Sequence, residues 1–60
     1  MTRSFAHAGS QYRVGDAATI NGQRRVHWQR WRLTGGAYVL DCGAWLPWRS
    51  TRRDIIDMLC

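Results

Sequence analysis

The sequence predicts a mainly β fold: a small antiparallel sheet of three to five strands followed by a short C-terminal helix. Three observations support this. Apolar residues alternate along most of the chain after position 12, which is the period of a strand. Two strong turn signals, Asn21-Gly22 and Gly35-Gly36, divide those alternating stretches into hairpins. Near the end, Thr51 and Asp54 stand at capping-box spacing ahead of Ile55, Ile56 and Leu59.

Residues 1–11 hold Gly, Ser, Ala, Thr and polar residues without a period, so they read as a loose arm that only Phe5 could pin down. The first strand carries Tyr12, Val14, Ala18 and Ile20 at even positions. A two-residue turn would set Ile20 against Gln23 and Ala18 against Arg25. A three-residue loop over residues 21–23 sets Ala18 beside Val26, and apolar parity favours it. The next strand contains HWQRWRL, residues 27–33. Val26 and Trp28 share one parity, Trp31 and Leu33 the other, and one extra residue near Gln29-Arg30 would return all four to one face. Across Gly35-Gly36, a two-residue turn pairs Leu33 with Tyr38, Trp31 with Leu40, Arg32 with Val39 and Arg30 with Asp41. Beyond it, Tyr38, Leu40, Cys42, Ala44, Leu46 and Trp48 keep one parity, with a bend expected at Gly43 and an end or edge at Pro47. The helix is expected over residues 51–59. It is too short to stand alone in water, so it must dock on the sheet or on a second subunit.

Sixty residues make one domain, placed at 12–60, with a marginal core that ring packing, a disulfide or a partner must supplement. The net charge is +5, and every basic residue is arginine, every acid aspartate. Arginine forks onto phosphate and stacks on rings. The excess points to an anionic partner: nucleic acid first, DNA before RNA, and an acidic protein surface second. No apolar run is long enough for a membrane span, and residues 1–10 lack the apolar stretch of a signal peptide. The expectation is a cytoplasmic protein with Cys42 and Cys60 reduced.

No catalyst assembles from His7, His27 and the two cysteines, and their spacing suits no zinc site, so an enzyme, a metal and a cofactor are not expected. The arginines carry the functional signal. Arg24, Arg25, Arg30 and Arg32 lie in one strand and its turn. Arg49, Arg52 and Arg53 gather at the helix start, where cations oppose the helix dipole. Ser50 and Thr51 add hydroxyls there. Trp31 and Trp48 fall on the core parity, and Trp28 joins them if the extra residue is real. Trp45 lies on the opposite parity between Gly43 and Pro47 and is the ring expected at the surface, able to stack on a base. The expected nucleic-acid contacts are therefore Arg24, Arg25, Arg30, Arg32, Trp45, Arg49, Arg52 and Arg53. The alternative is a protein-interaction module, a small regulator or inhibitor of the mobile-element kind, docking on an acidic face. Self-association through Ile55, Ile56 and Leu59 is compatible with either.

Tyr12, Gly15-Asp16, the strand at 17–20 and Gly22 stand in the apolar-x-x-Gly-Asp, strand, turn-glycine order of SH3-like small barrels. Residues 12–48 resemble that class, which implies a barrel that binds nucleic acid, peptides or proteins. The order strand, strand, strand, helix is also similar to AP2-like and integrase arm-binding domains, a resemblance that implies a sheet inserted in the DNA major groove.

Overall fold

The structure, a computed structural model, describes residues 4–59. Four antiparallel strands follow one another across a single sheet: β1 (Phe5–His7), β2 (Ser10–Ile20), β3 (Gln23–Thr34) and β4 (Ala37–Pro47), in the order β1-β2-β3-β4. Helix α1 (Arg52–Met58) closes the chain and packs on one face. The expected mainly β class with a C-terminal helix is what forms. The sheet is open, with β1 and β4 as its edges, so it is not the closed barrel of the SH3-like resemblance. The molecule is elongated, 41 × 24 × 18 Å.

Part of the stretch read as a loose arm is ordered sheet. Residues 5–7 pair with residues 10–12 through a turn at Ala8-Gly9. Phe5 does pin this segment: its ring stacks on Tyr12 at 4.9 Å and leans on Trp28 at 5.8 Å. Residues 1–3 of the arm lie outside the described residues.

The Asn21-Gly22 turn has two residues, not the three expected. Ile20 pairs with Gln23, and φ is +52° at Asn21 and +77° at Gly22, the mirror-image turn whose twist matches a hairpin. Parity is restored elsewhere. Val14 pairs with Trp28 but Ala17 with Val26, so β2 carries one extra residue at Gly15-Asp16. The second irregularity is also displaced from its expected place. Arg30 pairs with Cys42 and Trp31 with Leu40, so the extra residue is Asp41, in β4 and not near Gln29-Arg30 in β3. Strand β3 therefore alternates without a break. Val26, Trp28 and Arg30 point to the helix side, while Trp31 and Leu33 point away from it. The pairs Leu33–Tyr38, Trp31–Leu40 and Arg32–Val39 form as expected. β4 is a single strand that continues through Gly43 to Pro47.

The core lies between the sheet and α1. Tyr12, Val26, Trp28, Leu46, Ile55 and Leu59 are buried, with Phe5, Val14 and Ile56 packed at the margin. Thr51 caps the helix: its hydroxyl accepts from the Asp54 N–H at 3.2 Å, and the Asp54 carboxylate accepts from the Thr51 N–H at 3.1 Å. Ile55 is 2% exposed and Leu59 0%. These two are thus buried in the chain's own core, while Ile56, the third residue named for self-association, is only partly buried. Cys42 is disulfide-bonded, which corrects the expectation of a reduced thiol there, while Cys60 lies outside the described residues. No helix among the described residues is long and apolar enough to cross a membrane.

Candidate nucleic-acid interface

The fold sorts the arginines by the carboxylates it brings to them. On the helix side of the sheet, past the end of α1, the extra residue in β4 swings Asp41 toward Arg30 and Arg32. Asp41 accepts from Arg30 Nε at 2.9 Å and also from its Nη2, and from Arg32 Nη2 at 3.2 Å. Hydrogen bonding to Arg30 holds the Asp41 carboxyl below its ordinary value, and the same contact raises the Arg30 guanidinium. Arg53 faces Asp57 one helical turn on at 4.0 Å, both largely exposed. Three of the eight expected contact residues are thus engaged by aspartates.

The opposite end of the sheet differs. Trp48 follows β4 and donates its backbone N–H to the Arg24 carbonyl at 3.1 Å, which continues the β3–β4 ladder by one bond. That bond sets the Trp48 ring beside the Arg24 side chain. The Arg24 guanidinium carbon lies 5.8 Å from the ring centroid, and that of Arg49 lies 5.1 Å from it. Arg52 extends from the first turn of α1 over the Phe5 ring at 5.4 Å. Among the described residues, no ion pair reaches Arg24, Arg49 or Arg52. Between these rings opens a pocket of about 490 Å³, with buried Trp28 and Ile55 at its floor and Phe5, Trp48, Arg49 and Arg52 at its sides. Each guanidinium lies over a ring, the cation–π geometry that holds its N–H edge in a set direction.

The helix-start hydroxyls are engaged within the chain. Ser50 donates to the Pro47 carbonyl at 2.7 Å, and the Thr51 hydroxyl accepts from the Asp54 N–H as the helix cap.

The two remaining expected residues lie on the uncovered face of the sheet. Trp45 is 38% exposed and tilts against His27 at 5.1 Å. His27 in turn lies against Gly43 and Gly15, where a Cβ would meet its ring or backbone at 3.4–3.9 Å, and at Gly43 also the Trp28 carbonyl oxygen at 3.3 Å. Arg25 donates to Gln23 Oε1 at 2.8 Å, and its Nε is buried without a hydrogen bond. Farther along this face, Arg13 stacks on Trp31 at 4.6 Å and on Tyr38 at 5.7 Å, with both Nε and Nη2 donating to Gln11 Oε1.

The sequence singles out none of Trp48, Phe5 and Arg13 for the candidate site, yet each takes part in a ring–guanidinium contact. Strand parity continued to position 48 places Trp48 in the core, but β4 ends at Pro47, and Trp48 is 41% exposed. The same parity places Trp31 in the core; it lies half-buried on the uncovered face under Arg13. Pro47 was the available signal for Trp48, since a strand that stops there no longer dictates the direction of the next side chain. No family model, curated protein or solved structure matches this chain.

Proposed function

We propose that the chain is a small non-enzymatic nucleic-acid-binding protein, for DNA before RNA, and that Arg24, Arg49 and Arg52 hold phosphate at the Trp48 end. One observation carries this reading: three guanidiniums that no carboxylate among the described residues pairs with gather around two aromatic rings at a single end of the molecule. Stacked arginine presents its donors to phosphate while its carbon face stays on the ring. Arg25 and Trp45 lie around the corner, on the uncovered sheet face, and extend the contact. The preference for DNA follows from groove size, because a B-form major groove admits an antiparallel ribbon and the narrow major groove of A-form RNA does not. Arg30, Arg32 and Arg53, engaged by Asp41 and Asp57, contribute less.

The test is a titration of the full chain with a short duplex and with a single strand over a range of salt. Three phosphate contacts give a slope of log K against log salt of roughly −2.7 on duplex DNA. Replacing Arg49 with Gln lowers the steepness by about one. Absence of binding to either form at low salt removes the reading.

A second reading rests on a different observation. The far hairpin tip exposes Leu33, Tyr38, Val39 and Leu40, and beside it Arg30 and Arg32 share the one carboxylate of Asp41. An apolar tip of this kind suits a protein partner. A pull-down from nuclease-treated lysate separates the two: a protein retained after nuclease favours the module, and loss of all bound material favours nucleic acid.

A further inference from the structure

The pocket beside Trp48 is lined by core side chains as well as by surface rings and arginines. Its floor is made by two buried core side chains, Trp28 and Ile55, so a group entering from solvent stops there. Its volume of about 490 Å³ falls within the roughly 300–1,000 Å³ range of sites that enclose a small ligand. Arg49 and Arg52 flank it from two different elements, the segment after β4 and the first turn of α1, and Arg24 shares the Trp48 ring with Arg49. No aspartate among the described residues is paired with any of the three. The nearest acid in sequence, Asp54, is engaged with Thr51.

This charge count exceeds what an internal phosphodiester supplies. A diester carries one negative charge, whereas a phosphate monoester carries about −1.5 to −2 at neutral pH and has three oxygens to accept from the guanidiniums. Aromatic side chains at the pocket sides also offer apolar surface to the sugar and base behind such a group. We infer that the pocket seats the terminal phosphate of a nucleic-acid strand, with Arg49 and Arg52 on its oxygens and Phe5 and Trp48 against the last nucleotide. The inference rests on the nucleic-acid reading and narrows it from the polyanion to the strand end.

The experiment compares oligonucleotides of one sequence carrying a 5′-phosphate, a 3′-phosphate or hydroxyls at both ends, with binding followed by anisotropy. A phosphorylated end is expected to bind roughly tenfold more tightly than the hydroxyl-ended strand. Arg52→Gln and Arg49→Gln each remove most of that preference. Arg53→Gln, at an exposed residue paired with Asp57 outside the pocket, leaves it intact. Equal affinity for phosphorylated and hydroxyl-ended strands overturns the strand-end inference while leaving nucleic-acid binding in place. Failure of all three strands to bind at low salt overturns both. A phosphoserine peptide binding more tightly than the phosphorylated oligonucleotide overturns the assignment of the ligand.

Discussion

Asp41 shows how one residue can decide which cations are available. It is the extra residue of β4, and that displacement lets a single carboxylate serve Arg30 and Arg32 together. Its pKa is lower in the fold than the ordinary 3.8, so its contribution to stability is complete above that value and declines as pH falls through the lower folded value. Replacing Asp41 with Asn removes this acid-dependent component. Urea midpoints of the wild type should therefore drop more than those of Asp41→Asn as pH is taken from neutral to below 3.8. The same variant releases two cations, so its affinity for DNA at low salt should rise. Gly22 gives a cleaner backbone test. Its φ is +77° and no atom lies within 4 Å of a Cβ built there, so Gly22→Ala costs only the left-handed penalty, about 1–2 kcal/mol, read from the denaturation midpoint.

At the scale of elements, turns and caps explain what was visible beforehand. Asn21-Gly22 and Gly35-Gly36 announce hairpins because both residues of each pair enter the left-handed region at small cost. The Ala8-Gly9 turn was not visible, since Ala8 adopts φ +50° despite its Cβ. Ala8→Asn should consequently stabilise the β1–β2 hairpin, by about 0.5–1 kcal/mol in chemical denaturation. The helix cap was legible in the Thr51/Asp54 spacing and formed as such. Thr51→Ala should cost about 1 kcal/mol. Both irregularities were misplaced for one reason. Parity shows that a strand pair must shift by one residue, but the shift can be taken up by either strand and at several positions. Gly15-Asp16 accepts it where His27 lies over Gly15, and Asp41 accepts it where two arginines wait for a carboxylate.

For the whole molecule, stability depends on a small core. Among the described residues six buried side chains join the sheet to a seven-residue helix, and Ile55 with the C-cap residue Leu59 is the helical segment's buried contribution. Ile55→Ala should cost about 2–5 kcal/mol, a large share of the stability of a domain this size, and thermal unfolding would show it as a broad fall in midpoint. The molecule is also divided along its length. Among the described residues, one end carries arginines stacked on rings and joined by no ion pair; the other carries an apolar hairpin tip beside Arg30 and Arg32, which share the carboxylate of Asp41. An even spread of charge would have given neither end a distinct character.

The fold class, the two glycine-rich hairpin turns, the cross-strand pairs at Leu33–Tyr38 and Trp31–Leu40, and the helix with its cap could all be read from local pattern, because each depends on residues close in sequence or facing one another across a short turn. The environment of each tryptophan and arginine could not. It depends on where the extra residues in β2 and β4 fall, on which face α1 covers, and on the ending of β4 at Pro47. Those are contacts between distant segments, and only packing chooses among them. The same packing brought Asp41 to Arg30 and Arg32 and left Arg24, Arg49 and Arg52 around Trp48 and Phe5.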